Sequence, residues 1–199
     1  MRIFKYGHAC VRLELDNGGV LVIDPGIWSE GEVLAGADVV LVTHEHNDHI
    51  DPQLLAGADV IVYAPEGADL EGVPFMPLHS GDVLTAGDAR IRAVGGPHAA
   101  VHGALPDCLN LGYIIDDYLY HPGDALRLPG QPVNTLLLPM QASWLKTSEA
   151  IDFARAVKPD RALAIHDAQV NERGIEGLTG WFKRTLESEY TWLPSGRAL

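Results

Sequence analysis

Between Arg12 and Arg90 the chain contains no lysine or arginine, although that stretch carries fifteen aspartates and glutamates. The rest of the sequence is close to balanced, so this first half supplies the whole net charge of −13. An anionic surface of this kind repels phosphate backbones, which excludes the counterion-release binding by which most proteins hold nucleic acid. Cysteine is almost as scarce. Cys10 and Cys108 are the only two, and a chain of this size has no need of a bridge, so both are read as reduced thiols. Long apolar runs are missing too: the longest uncharged stretch, Leu128 to Leu145, is broken by Pro129, Gly130, Pro132 and Pro139, which excludes a membrane-spanning helix. The N-terminus interleaves charges with apolar residues and lacks the apolar core of a signal peptide, so a cytoplasmic location is expected. With 199 residues, 47% of them hydrophobic, the chain has the size and composition of one globular domain, residues 1–199, with a single core.

The first third reads as strands. Val11 to Leu15 alternates with period two, and Asp16-Asn17-Gly18-Gly19 forms a hairpin turn before a second apolar run. Gly19 to Ile23 and Asp38 to Val42 are short, β-branched and nearly continuous, as strands buried on both faces should be. Further strands are expected at Val60–Tyr63, Ala89–Val94, Leu111–Ile115, Tyr118–His121, Thr135–Leu138 and Ala162–Ile165. Two amphipathic helices follow, Ser148–Val157 with Thr147 or Ser148 as N-cap, and Gly174–Leu186. Strands punctuated by a few helices indicate a layered α/β domain.

The chemistry concentrates in Thr43-His44-Glu45-His46-Asn47-Asp48-His49-Ile50-Asp51. Directly after a buried strand, His44 and His46 lie two apart, so in extended backbone they turn to one side and can close on one ion. Asp48 and His49 lie past a turn, displaced far enough to serve a second. Imidazole with carboxylate suits zinc, iron, manganese or nickel better than calcium or magnesium.

The order His44-x-His46-x-Asp48-His49 resembles the HxHxDH signature of the metallo-β-lactamase fold superfamily. Asp24 at the end of an early strand, a histidine after a middle strand, Gly123-Asp124 and His166 after a late strand follow in the superfamily's order. The compact length, Gly7-His8 and Tyr120-His121-Pro122-Gly123-Asp124 are most similar to its small metal-dependent hydrolases, the group that includes ascorbate-6-phosphate lactonase. The resemblance implies an αββα sandwich holding two divalent ions, zinc foremost, with no organic cofactor. It implies that His44, His46 and a third histidine hold one ion, that Asp48, His49 and His166 hold the other, and that Asp124 bridges them. The third histidine is His98 or His102. His98, directly after its strand, is preferred, and His102 then backs a ligand or faces substrate. Asp24 is expected to accept an N–H from a ligand imidazole, or else to be a plain turn aspartate. His8, His79 and His121 are left as structural or surface residues, with His8 the nearest to qualifying. Trp144 either walls a substrate pocket or caps the core.

The expected activity is hydrolysis of a small-molecule ester, lactone or phosphoester. Water bridging two ions about 3.5 to 4 Å apart loses its proton near neutral pH and attacks without a serine or cysteine nucleophile, and Asp48 orients it or takes its proton. Two alternatives stand beside this: an iron-dependent, dioxygenase-type enzyme on the same fold, and a metal-holding protein without catalysis. The partner expected is a small-molecule substrate, with self-association left open and neither nucleic acid nor membrane involved.

Overall fold

In the computed structural model, which describes residues 1–103 and 108–199, two seven-stranded sheets face each other. The first has the order β14-β1-β2-β3-β4-β5-β6. Its strands are β1 (Arg2–Lys5), β2 (Val11–Glu14), β3 (Val20–Ile23), β4 (Val39–Leu41), β5 (Ile61–Pro65), β6 (Met76–Leu78) and the terminal β14 (Arg197–Ala198). The second has the order β13-β12-β11-β10-β9-β8-β7. It comprises β7 (Val83–Ala86), β8 (Ala89–Pro97), β9 (Leu109–Ile115), β10 (Leu119–His121), β11 (Thr135–Pro139), β12 (Arg161–Ile165) and β13 (Glu189–Thr191). In each sheet a meander of antiparallel strands continues into parallel ones, β3 to β6 and β10 to β13.

The inner faces meet in one apolar layer built from Leu13, Leu21, Ile23 and Leu41 on one side and Ile91, Tyr113, Leu137 and Ile165 on the other. The alternation of β2 and the continuous burial of β3 and β4 follow from this. β2 sits toward an open edge and wets one face, whereas β3 and β4 are covered on both. Helices α2 (Thr147–Val157) and α3 (Glu172–Thr185) cover the second sheet through Phe153, Ala154 and Phe182. A 3₁₀ turn (Gly31–Leu34) and the four-residue α1 (Pro52–Leu55) cover the first through Val33 and Leu55. The result is the αββα sandwich that the motif order implied, with one outer layer much thinner than the other.

The strands and helices expected from the sequence are present to within a few residues, and the structure adds β1, β6, β7, β13, β14 and the short α1, which the sequence reading did not include. The differences have local causes. α2 begins at Thr147 with Lys146 as its N-cap, because the Lys146 N–H is met by Glu149 Oε2 at 3.1 Å, so neither Thr147 nor Ser148 is the cap. α3 begins at Glu172, capped by Asn171, whose Oδ1 accepts the Gly174 N–H at 3.0 Å. β8 runs past Val94 through Gly95, Gly96 and Pro97, because β9 pairs with it over that whole length. Among the described residues no helix is long and apolar enough to cross a membrane. Cys10 and Cys108 are not joined in a disulfide, and burial pushes the Cys10 thiol up to about 12, leaving it without thiolate character near neutral pH.

One buried ion pair ties the first strand to the end of β12. Lys5 Nζ lies 2.9 and 2.8 Å from the two carboxylate oxygens of Asp167, and Trp192 Nε1 donates to the same group at 2.6 Å. Lys5 is only 2% exposed, so removing its charge strands a carboxylate in the interior. Lys5→Met is expected to lower unfolding free energy by about 3–5 kcal/mol, read by urea denaturation. Arg2→Met, which breaks the solvent-facing Arg2–Glu14 pair at 3.1 Å, should cost under about 1 kcal/mol. Equal losses would place the Lys5 pair among ordinary surface bridges.

Candidate metal centre

Strands of both sheets end at one edge of the sandwich, and their following residues converge there. β3 delivers Asp24, β4 delivers Thr43 and His44, β8 delivers His98, β10 leads through Gly123 to Asp124, and β12 delivers His166. Asp24 and His166 sit in left-handed backbone at φ 52° and 63°, a conformation costing of order 1–3 kcal/mol for residues other than glycine. Gly123 takes φ 62°, and a Cβ there would collide with Asn110 Oδ1, so glycine is required for the chain to pass.

The segment from Thr43 to Asp51 is fixed at both ends. Asp24 Oδ1 accepts the Thr43 N–H at 2.7 Å. Asp51 donates its N–H to Pro25 O at 2.8 Å, while its carboxylate caps α1 through Gln53 and Leu54. In between, the N–H groups of His49 and Ile50 both return to His46 O, at 2.8 and 3.0 Å, closing the turn that throws Asp48 and His49 away from His44 and His46. Gly26 lies against this turn, where a Cβ would strike the Asp48 carbonyl.

Three groups of potential ligand atoms result among the described residues, His44 with His46 and His98, Asp48 with His49, His166 and His8, and, linking these two, His44 with His49 and Asp124, each with its atoms within 4.8 Å of one another. Asp124 stands between the first two. Its Oδ2 is 3.5 Å from His98 Nε2 and 3.1 Å from His166 Nε2, and its Oδ1 is 3.2 Å from His49 Nε2. The donor set fits divalent cations on a direct observation: Nε2 of His44, Nε2 of His98 and Oδ1 of Asp124 are buried without an aligned hydrogen-bond partner, an arrangement that is costly unless a further group satisfies them. All seven residues singled out by the sequence are brought to this edge. The grouped third histidine is His98, which is buried, whereas His102 is exposed and belongs to none of the clusters found among the described residues.

Asp24 organises the centre from beneath. Fully buried, its Oδ2 accepts the His49 Nδ1–H at 2.7 Å and the Thr43 hydroxyl at 2.7 Å, and Thr43 Oγ1 in turn lies 3.0 Å from His44 Nδ1. Asn110 grips the turn bearing Asp124, accepting the Asp124 N–H at 2.9 Å and donating to Pro122 O at 2.8 Å. Trp144 Nε1 donates to Asp124 Oδ2 at 2.7 Å, so this half-buried indole belongs to the site's wall and not to the core cap that the sequence left open. His121 is fully buried but spent on Ala9 O and the Gly123 N–H, and His79 is a surface residue paired with Glu66 and Asp82.

His8 was set aside in the sequence as structural or surface, and the structure corrects that. It is 1% exposed, its Nε2 is 3.3 Å from Asp48 Oδ2, and its ring centroid is 3.8 Å from that of His166. The contact that brings it in, Ala168 N–H to His8 Nδ1 at 3.2 Å, spans 160 residues. Only Gly7-His8 itself hints at it in the sequence. Thr43 and Asn110 likewise carry no pattern that marks their roles.

Electrostatics separates the histidines. Burial and the facing His49 push His44 well below its ordinary value, burial and His98 lower His46, and burial takes His8 to about 4. His49 goes the other way, because Asp124 and Asp24 outweigh its burial and raise it well above 6.5. For Asp124, the His49 and His166 imidazoles outweigh burial and hold the carboxyl well below its usual range. Asp48 is held at about 2, where burial is overcome by His8 and His49.

The chain is similar to known proteins over most of its length. A family model described as a beta-lactamase superfamily domain matches residues 2–166. A Mycobacterium tuberculosis protein is 41% identical over 189 residues, covering 88% of this chain and 89% of its own. A Methanocaldococcus jannaschii protein named a UPF0173 metal-dependent hydrolase is 26% identical over 81% of this chain and 82% of its own. Among solved structures, a metallo hydrolase from the archaeon Ignicoccus hospitalis superposes with a TM-score of 0.78 at 18% identity, covering 100% of this chain and 97% of that one. CmlA, a diiron β-hydroxylase from Streptomyces venezuelae, gives 0.75 at 16% identity, covering 100% of this chain and 53% of that one. At those identities the superpositions establish the fold.

Two outcomes are expected. In the absence of a cation His49 holds a proton at neutral pH, which a metal must displace. Zinc affinity, measured by chelator competition, should therefore rise about tenfold per pH unit between roughly pH 6 and 8, and a pH-independent affinity would contradict the assignment. Asp24→Asn, which removes the charge behind His49, should weaken zinc binding by about 10- to 100-fold by the same measurement, without touching any ligand atom.

Proposed function

Because the chain belongs to the beta-lactamase superfamily and converges its histidines on one shared carboxylate, we propose that it is a metal-dependent hydrolase of a small-molecule ester, lactone or phosphoester, working with two divalent cations. The observation that carries this reading is the pair of ligand groups on either side of Asp124, with buried Nε2 and Oδ1 atoms left unpartnered. In it His44, His46 and His98 would hold one cation and Asp48, His49 and His166 the other, with Asp124 available to either. Zinc suits the imidazole-rich set, and manganese, iron or nickel would be accommodated by the same donors. Bound there, divalent cations supply Lewis acidity that makes water a nucleophile near neutral pH and polarises the substrate oxygen.

The chain's own residues do the rest. Asp48, held ionised, orients the attacking water or takes its proton. Trp144 fixes Asp124 by its 2.7 Å hydrogen bond and presents its ring beside His98 and His166, with centroids 6.2 and 6.3 Å away. Trp28, 41% exposed and packed edge-on against His8 at 4.7 Å, stands beside the second ligand group. Two indoles flanking the centre favour a substrate with an apolar portion. The M. jannaschii relative's name supports hydrolysis. The likeness to a diiron hydroxylase keeps an iron-dependent oxidation as the competing reading.

Protein purified without a histidine tag and loaded with metal should contain about two ions per chain by elemental analysis. Against a panel of lactones, esters and phosphodiesters, the wild type should turn over at least one class, equally well under argon, and Asp124→Ala should lose about 10²-fold or more. Turnover that needs oxygen would replace hydrolysis with the oxidative reading, and full activity in Asp124→Ala would remove Asp124 from the mechanism.

A further inference from the structure

In four histidines of the centre, His44, His49, His98 and His166, Nδ1 is fixed as the donor, and in His8 it is fixed as the acceptor. His49, His98 and His166 each donate from Nδ1, to Asp24 Oδ2 at 2.7 Å, Ala99 O at 2.7 Å and Gln141 O at 2.6 Å. His44 does the same toward Thr43 Oγ1 at 3.0 Å, because the hydroxyl's own hydrogen is committed to Asp24 at 2.7 Å. Each of these four rings can therefore present Nε2 as a lone pair, the state that a cation requires.

His8 is built the opposite way round. Its Nδ1 accepts the backbone N–H of Ala168 at 3.2 Å, and a ring nitrogen that accepts carries no hydrogen. The proton then resides on Nε2, which is buried and lies 3.3 Å from Asp48 Oδ2, its nearest carboxylate oxygen, without an aligned hydrogen bond to it or to any other group. Turning the ring over would set Cδ2 against the Ala168 N–H, and protonating both nitrogens would oppose two N–H groups at Nδ1. The backbone leaves little room for adjustment: His8 sits at φ 59°, its carbonyl accepts the His166 N–H at 2.9 Å, and its ring lies between those of Trp28 and His166.

We propose that His8 is a positioning residue that directs an Nε2–H at the Asp48 carboxylate, and is not a metal ligand although it stands close enough to Asp48, His49 and His166 to share an ion with them. The proposal rests on the reading of this site as a metal centre. The oxygen it addresses, Asp48 Oδ2, is the one that also faces Nε2 of His49 and of His166, at 4.0 Å each. A donor on that oxygen fixes which way the carboxylate turns and leaves the second ion without a third imidazole, so the position beside His8 stays available to substrate.

Long-range proton–nitrogen correlation spectra of histidine-labelled protein test this directly, with His8 assigned by the signal missing from His8→Gln. In metal-free protein His8 should be protonated at Nε2, whereas His98 and His166 are protonated at Nδ1. On titration with zinc the Nε2 resonances of His98 and His166 should move, and His8 should keep its Nε2 proton. A bare Nε2 on His8 before zinc, or loss of its proton on zinc addition, overturns the proposal. If zinc fails to bind, the metal-centre reading falls, while the metal-free spectrum still decides the tautomer of His8. His8→Gln returns an N–H near the position of Nε2 and should bind zinc with near-native affinity and stoichiometry, whereas His8→Phe should lose about 10- to 100-fold in affinity. Equal losses in the two variants would count against a donor role.

Discussion

The carboxylate of Asp24 is the constraint on which the rest of the centre depends. It is wholly excluded from water at the end of β3, and a buried charge is tolerated only when every lone pair is used. The Thr43 amide, the Thr43 hydroxyl and the His49 ring use them, all at 2.7 Å. Through those three bonds one anion holds the first residue of the histidine segment, sets the tautomer of His44 by way of the hydroxyl, and raises the basicity of His49. A carboxylate too far down to touch a cation thus decides how two imidazoles meet it.

The same economy recurs around the edge. Several side chains facing the centre are tied to something rigid: His98 and His166 to backbone carbonyls, Asp124 to Trp144, and the turn before Asp124 to Asn110. Left-handed backbone at His8, Asp24 and His166 adds strain, offset by the sandwich that meets there. Asp167, one residue past His166, is gripped by buried Lys5 and by Trp192, so the first strand and the C-terminal strands stabilise the position of a histidine. Rigidity of this kind belongs to a site built to hold cations in a fixed geometry.

Much of the centre was legible because its residues cluster where local rules apply. Polar residues directly after a continuous apolar run mark the end of a buried strand, and the spacing of His44, His46, Asp48 and His49 is short enough for backbone geometry alone to divide them into two pairs. Asp124 and His166 were found because each follows a strand in the expected order. His8 was missed for the converse reason. It precedes a strand, and its place in the site is made by backbone hydrogen bonds to His166 and Ala168 at the other end of the chain. Choosing between His98 and His102 also needed the fold, since four residues of separation after a strand end span enough space for either.

The sequence by itself determined the central strands, the two long helices, the acidic first half and the cluster His44, His46, Asp48 and His49, because each is recorded in composition or short-range periodicity; His98, Asp124 and His166 were marked by the family resemblance, and the short edge strands, too brief to show a period, were not marked at all. Tertiary structure alone decided the tautomers, the parts of Thr43 and Asn110 in the supporting network, the choice between the two readings of Asp24 and of Trp144, and the burial of His8. Those depend on which backbone amide or carbonyl lies behind each ring, and that is set by the packing of two sheets whose strands are far apart in sequence.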